Sequence, residues 1–468
     1  MYRSAMEDLK KWKNSKRRKP LILDGARQVG KTWLLQKFGL EEYENMAYVN
    51  LEKDERASEI FDGSFEPQRI VARLALHLGM EIKSDKTLIV IDEAQQNARA
   101  LTALKYFQEE APEYHIVVAG SLLGIAIHQG VSFPVGKVNH LYIHPLTFWE
   151  FLVAIGRRQL ADAIMARDFE LIQPFHAELL EFWKIYTIVG GMPEVVQTYL
   201  NDRSMLGVRA VQIDILHDYE RDFSKYADKF TAPKIVEIFN IIPAVLAKEN
   251  KKFMFGMIRA SARAREYDNA LLWLNRAGVA IKVNRVSKVA QPLSAYLDQG
   301  AFKLFCVDVG LLSCKAGLHP EVIYNGDRFE EFKGALAEQF VFQELYANGV
   351  EPYYYSADDS QAEVDFVIND GARIVPIEVK SGENLSAPSL KKLLQKDASL
   401  RAVKFSMLPY AGSGEVVKGK SGDGGGGEVV KGRSGDGGGG EVVGVGSGES
   451  GRVANMPIYA AFACMKEM

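Results

Sequence analysis

Between residues 20 and 145 the chain alternates short apolar runs with amphipathic ones. PLILDG, MAYVNL, TLIVID and HIVVAGS read as buried strands. KTWLLQKFG, PQRIVARLALHLGM and ALTALKYFQEEAP place apolar residues at helical spacing. Buried strands that alternate with helices predict a parallel α/β sheet over residues 1–145. From PLTFWEFLVAIG to about Ala280 the period is almost wholly helical, interrupted by IVGGMPEVV. Residues 146–230 are therefore expected as a helical lid and linker. Residues 231–320 add helical runs followed by the strand-like VAIKVNRV and AFKLFCVDVGLL, an order that fits a winged-helix-like region.

Near residue 328 the pattern restarts with a helix, EFKGALAEQFVFQELYANG. Strands EPYYYS, AEVDFVI and RIVPIEVK follow, then a helix, APSLKKLLQK, and a last run, RAVKFSML. This predicts a compact α/β domain over 328–468. Within it GEVVKGKSGDGGG (414–426) recurs as GEVVKGRSGDGGG (427–439). So few apolar residues per repeat cannot bury a shared core, so 412–452 is expected to be a flexible, disordered surface loop.

Length and charge narrow the picture only modestly. At 468 residues the chain suggests about two to four domains, and a net charge of −3 gives no global argument for nucleic acid. The one basic run, KKWKNSKRRK from Lys10 to Lys19, reads first as a solvated helix and secondarily as a nucleic-acid contact. Cys306, Cys314 and Cys464 are too few and too scattered for a disulfide framework or a zinc site. No stretch approaches the ~20 apolar residues of a membrane span, and no secretory apolar run follows the first charges. These features point to a cytoplasmic protein with no membrane partner.

Chemistry concentrates in GARQVGKT. Gly25, Ala26, Arg27, Gln28, Val29 and Gly30 can curl backbone N–H groups around phosphates. Lys31 reaches the β- and γ-phosphates, and Thr32 holds Mg²⁺. The helix that opens at Lys31 adds its positive end. TLIVIDEAQ matches a Walker B strand: Asp92 would bind Mg²⁺ and Glu93 would polarise the attacking water, which favours hydrolysis over binding alone. HIVVAGS ends at Ser121, either a γ-phosphate sensor or a helix N-cap. Arg157, Arg158 and Arg221 are candidates for a transition-state arginine, with none singled out.

The ordered set GARQVGKTWLL, LIVIDEAQ, VVAGSLLG, HPLTFWEFL, GGMPEVV, FKLFCVDVGLLS, KGALAEQFVFQEL, EVDFVI and MPIYAAF resembles the prokaryotic predicted AAA+ ATPases that pair an AAA-type domain with a C-terminal domain of unknown function. The resemblance runs from about residue 3 to 466. It implies a P-loop ATPase core, a helical and winged-helix-like middle, and an end domain related in pattern to PD-(D/E)XK (restriction-endonuclease-like) nucleases. Lys137 stands where relatives often carry Arg, and the Gly-rich insert is a departure from the family.

In that end domain AEVDFVI alternates, with Glu363 and Asp365 on one face. Asp370-Gly371 suits a tight turn into RIVPIEVK, where Glu378 and Lys380 share a face. Asp365 and Glu378 can converge on a divalent metal with Lys380 beside them, completed by a helix acid, Glu338 or Glu344. The competing reading is an amphipathic hairpin with its charges toward solvent. Three functions follow. The first is a Mg²⁺-dependent ATPase whose hydrolysis switches the middle and C-terminal domains on DNA or a protein partner. The second is an ATP-regulated metal-dependent nuclease, and the third a nucleotide-dependent switch with an inert nuclease-like domain. Oligomeric state stays open.

Overall fold

The central apolar runs of the first 145 residues become strands buried on both faces, while MAYVNL forms a half-buried edge strand. The computed structural model describes all residues except 121–122, 124–135, 326–329, 359–361, 383–384, 411–451 and 464–468. Ser121, Cys464 and nearly all of the Gly-rich insert thus lie outside the described residues. Helix α1 (Ala5–Lys13) precedes β1 (Leu21–Asp24), α2 (Lys31–Glu42), β2 (Asn45–Asn50), α3 (Glu55–Glu59) and α4 (Pro67–Leu78). Then come β3 (Thr87–Asp92), α5 (Ala98–Glu110), β4 (His115–Ala119) and β5 (Asn139–Tyr142).

The five strands form one sheet in the order β2-β3-β4-β1-β5, and every pairing is parallel. Strand periodicity divides the sheet between two cores. Ile22, Ile89, Ile91, Ile116 and Val118 face α4 and α5. Leu21, Leu23, Leu88, Val90 and Val117 face the other way, into a core continuous with the rest of the chain. Truncating a wholly buried residue such as Ile89 to Ala is expected to cost about 2–5 kcal/mol.

The middle of the chain is helical, as its period predicts: α6 (Phe148–Ala154), α7 (Arg158–Met165), α8 (Phe169–Ile172), α9 (His176–Val189), α10 (Pro193–Asp202), α11 (Met205–Tyr226), α12 (Ala232–Leu246) and α13 (Ala264–Arg276). Thr147 and Glu150 close a capping box at the start of α6. Pro193 opens α10 at the first turn, where its missing N–H costs nothing.

Strands β6 (Ala280–Val286) and β7 (Leu297–Cys306) pair antiparallel. Helices α14 (Val309–Lys315), α15 (Pro320–Asn325) and α16 (Glu330–Ala347) follow, then β8 (Tyr353–Ser356), β9 (Glu363–Asp370) and β10 (Arg373–Lys380). Helix α17 (Pro388–Lys396), β11 (Ala402–Ser406) and β12 (Val453–Pro457) complete the series. The second sheet has the order β12-β11-β10-β9-β8-β6-β7. The hairpin expected as the wing of a separate module instead hydrogen-bonds through β6 to β8. One sheet therefore spans both sides of residue 320. Periodicity identifies a strand but not its partner, and a lone two-stranded hairpin is marginal without further pairing. Within this sheet β8, β9 and β10 form an antiparallel meander. Helix α17 then crosses over to β11, which runs parallel to β10.

Candidate functional site

The loop after β1 is shaped by its glycines and its neighbours. Gly25 has φ +139° and lies so close to the Ile143 carbonyl that any Cβ would collide with it. Lys31 opens α2 and folds back, its Nζ donating to the carbonyls of Gly25 at 2.7 Å and Ala26 at 2.8 Å. Burial lowers the Lys31 pKa to about 8 against the attraction of Glu93 and Asp92. Thr32 Oγ1 donates to Asp92 Oδ2 at 2.9 Å, and the Tyr48 hydroxyl donates to the same oxygen at 2.8 Å. Glu93 takes up a left-handed backbone with φ +53°, and burial, with Asp92 beside it, raises its pKa. The Gln95 amide donates to its Oε2. Strand β3 thus delivers Asp92 and Glu93 to the phosphate loop although β4 lies between β3 and β1.

The loop is also held from outside its own domain, by contacts that the loop motif does not announce. On α11, Asp222 pairs with Arg27, Asp218 Oδ2 accepts from Gln28 Nε2 at 2.9 Å, and Tyr219 donates to the Arg27 carbonyl at 3.0 Å. The i,i+4 spacing of Asp218 and Asp222 puts both on one face of the helix, a signal visible in sequence, but nothing local names their partners. Arg3 donates to the Val29 carbonyl at 2.8 Å and the His144 carbonyl at 2.6 Å. The candidate arginines each have a partner: Arg157 pairs with Glu178 at 2.8 Å, Arg158 lies over the rings of Tyr2 and Trp149, and Arg221 pairs at 3.0 Å with Asp218, the carboxylate that also holds Gln28 of the loop. The basic run near the N-terminus is largely used internally. Lys11 pairs with Asp8, Lys13 with Glu42, and Arg18 and Lys19 donate to the Pro112 and Gly136 carbonyls.

A second site lies in the other sheet, in a cavity of about 760 Å³ lined by Glu338 of α16, Asp365 of β9, and Glu378 and Lys380 of β10. A tight turn at Gly371 pairs Asp370 with Arg373 and Phe366 with Ile377, so Asp365 and Glu378 are neighbours on one face. Asp365 Oδ2 accepts the Val379 N–H at 2.8 Å, and Lys380 Nζ lies 2.8 Å from Glu378 Oε1. These charges face a cavity rather than open solvent: Glu378 is 5% exposed. The two helix acids occupy different surroundings. Glu338 lines the cavity, while Glu344 accepts the Phe148 N–H at 2.9 Å, against the start of α6.

Two further lysines enter the cavity region from earlier in the chain. Lys303 of β7 lies 2.7 Å from Glu363, 3.6 Å from Glu338 and 4.0 Å from Asp365. Lys251 lies 2.5 Å from Glu338. Burial opposes the charge on Lys303, but Glu338, Glu363 and Asp365 outweigh it and raise its pKa. Burial likewise raises Asp365 and Glu378, while the two lysines hold Glu338 below its ordinary value despite burial. Among the described residues no group of three or more His, Cys, Asp or Glu is arranged to hold a metal ion; lysines supply the positive charge here. Glu338 Oε2 and Glu378 Oε2 are buried with no hydrogen-bond partner, and Glu338 Oε2 lies 3.6 Å from the Lys303 ammonium. The lone Lys in the otherwise apolar AFKLFCV is the sequence signal that marks Lys303.

Sheet order, phosphate loop and the acids at the end of β3 together define a P-loop ATPase domain of the AAA+ kind at the N-terminus. The family model described as an AAA domain matches residues 17–152. Two models of domains of unknown function, DUF8612 and DUF4143, match residues 180–322 and 333–422. No curated protein matches the chain. Among solved structures it is similar to a Walker-type ATPase of Pyrococcus abyssi, with 16% identity and a TM-score of 0.43, over 67% of this chain and 95% of that one. It is also similar to the Orc1 protein of Aeropyrum pernix in complex with DNA, with 14% identity and a TM-score of 0.25 over 69% and 91% of the two chains. Cdc6p from Pyrobaculum aerophilum gives 13% and 0.23 over 69% and 93%. No helix among the described residues is long and apolar enough to cross a membrane.

Proposed function

We propose that the protein is a Mg²⁺-dependent ATPase whose nucleotide cycle repositions the helical middle against the phosphate loop, acting on DNA or a protein partner. The observation that carries this reading is the 2.9 Å contact between Thr32 Oγ1 and Asp92 Oδ2 beside the buried Lys31 ammonium. It supports a role for Thr32 and Asp92 in holding Mg²⁺ beside Lys31, which would meet the phosphates. A bound Mg²⁺ would neutralise phosphate charge. Lys31 would leave the loop carbonyls for phosphate oxygens, and Glu93 would orient water. The ties from Asp222, Asp218 and Tyr219 to Arg27 and Gln28 support the repositioning, because a loop that closes on phosphates changes the setting of both side chains. Glu93→Gln tests it: ATP binding should persist while turnover drops by at least about 100-fold. Unchanged turnover would remove Glu93 from the role.

A second reading, an ATP-regulated metal-dependent nuclease, is favoured by the cavity. A helix acid, a strand acid and a Glu-x-Lys pair meet there, and two carboxylate oxygens lack a hydrogen-bond partner. Plasmid, linear and branched DNA incubated with Mg²⁺ or Mn²⁺ should be cut by the native chain and not by Asp365→Ala. Absence of cutting under all these conditions would favour a nucleotide-dependent switch with an inert end domain.

A further inference from the structure

Arg27 stands inside the phosphate loop, four residues before Lys31, and its backbone and side chain are held in different ways. Its carbonyl accepts the hydroxyl of the buried Tyr219 at 3.0 Å. The next residue, Gln28, turns the chain at φ +65° and donates from Nε2 to Asp218 at 2.9 Å. The backbone of Arg27 is thus a fixed pivot against α11. Its side chain is 43% exposed and pairs with Asp222, whose own side chain is 7% exposed. Rotation of the long stem re-aims the guanidinium fork without moving the pivot.

The guanidinium lies between α11 and the nucleotide side of the loop. Burial opposes its charge, while Asp222 and Asp218 on α11 and Glu93 at the end of β3 favour it. Burial and, to a smaller degree, Arg27 oppose the charge on Lys31. Arg27 is therefore within electrostatic reach of Lys31 and Glu93 although it is paired with Asp222. Glu93 marks the γ end of the site, because it would orient the water that attacks the γ-phosphate. An arginine fork fits phosphate oxygens as well as carboxylate oxygens, and a terminal phosphate carries about two negative charges against one on a carboxylate. Asp222 depends on the pair in turn: burial raises its pKa and Arg27 opposes the rise.

We propose that Asp222 and the γ-phosphate of ATP compete for the guanidinium of Arg27. ATP gains this contact only by breaking the ion pair, so a firm pair lowers ATP affinity. Once Arg27 crosses, Asp222 is a buried carboxylate that has lost its partner, which is a physical reason for α11 to shift. The inference rests on the reading of the loop as an ATP site. It adds which phosphate releases α11 and through which side chain.

The test is calorimetry on the full chain with Mg²⁺ present, comparing adenylyl imidodiphosphate, a non-hydrolysable ATP analogue, with ADP. Asp222→Asn keeps the shape and removes the charge. It should tighten the triphosphate by at least about threefold and leave ADP within a factor of about two, because Arg27 is no longer withheld. Arg27→Gln should weaken the triphosphate by at least about fivefold with little effect on ADP. In the double variant Asp222→Asn should bring no gain. Circular dichroism identifies a variant that fails to fold, and Asp222→Ser or Arg27→Met then takes its place. An unchanged ratio of the two affinities in either single variant, or the same gain from Asp222→Asn when Arg27 is replaced, would overturn the competition and leave the ATP site standing. Lys31→Met is the control for the site itself. If no binding depends on Lys31, the ATP site and the competition fall together.

Discussion

Glu344 offers a sharp test of the packing between α16 and the start of α6. Its Oε1 accepts the Phe148 N–H and its Oε2 has no hydrogen-bond partner. Burial pushes its pKa from 4.5 up to about 8; the Phe148 amide resists and the charge of Glu150 adds to the push. The folded chain thus keeps a proton there that the unfolded chain releases above about pH 4.5. Stability linked to this group is fully present below that pH and is lost as pH rises to about 8. At about 1.4 kcal/mol per pH unit, the loss is ~3 kcal/mol at pH 7 and approaches ~5 kcal/mol above pH 8. Glu344→Gln keeps the acceptor oxygen and the shape but removes the ionisation. Thermal unfolding of both proteins from pH 4.5 to 9 should show equal Tm at the acidic end and a gain for the variant that grows with pH to several degrees. A gain that does not vary with pH, or a loss at pH 8, would refute a buried, strained ionisation as its source.

Two other predictions concern buried charge elsewhere. Asp308→Ala removes the acceptor of the Gly191 N–H at 2.6 Å and the Leu311 N–H at 2.9 Å; at about 1–3 kcal/mol for each orphaned donor, Tm should fall by several degrees, with Asp308→Asn intermediate. Because burial brings the Lys31 pKa down to about 8, the cation proposed to meet phosphate is lost as pH rises through that value. ATP affinity measured by calorimetry should be level from pH 6.5 to 7.5 and decline above pH 8, with Lys31→Met weak throughout.

How far the sequence discloses this molecule depends on how local each determinant is. The phosphate loop, Asp92 and Glu93 are legible because one strand-turn-helix and one strand end carry them, and their spacing within each segment is the chemistry. The Asp365 and Glu378 pair is legible for a related reason: a two-residue turn fixes the register, and alternation then fixes the face. Glu338 and Glu344 could not be separated by pattern. Their difference is set by Lys251 and Phe148, which lie 87 and 196 residues away in the chain. The hairpin β6-β7 was readable as strands, yet its place beside β8 depends on an edge formed later in the chain.

The motifs that carried the family resemblance without any evident chemistry turn out to be contact surfaces. Gly190, at φ +74°, has the Asp308 carboxylate where a Cβ would stand, and a Cβ on Gly310 would come within 2.5 Å of the Val189 carbonyl. GGMPEVV and VDVGLL therefore dock backbone to backbone, an approach only glycine permits. From this joint the chain leads both ways. Pro193 packs over Gly30, where a Cβ would meet the proline ring at 3.3 Å. In the other direction Gln343 of α16 accepts the Val309 N–H at 2.9 Å and donates to the Tyr186 hydroxyl at 2.8 Å. The helix that presents Glu338 to the acidic cavity is thus fastened to the same turn that rests on the phosphate loop. Side chains at a joint of this kind can be exchanged only for others of the same shape and hydrogen bonding, because close-packed backbone leaves no room for adjustment. That is why two such plain-looking strings are informative about the fold while saying nothing directly about catalysis.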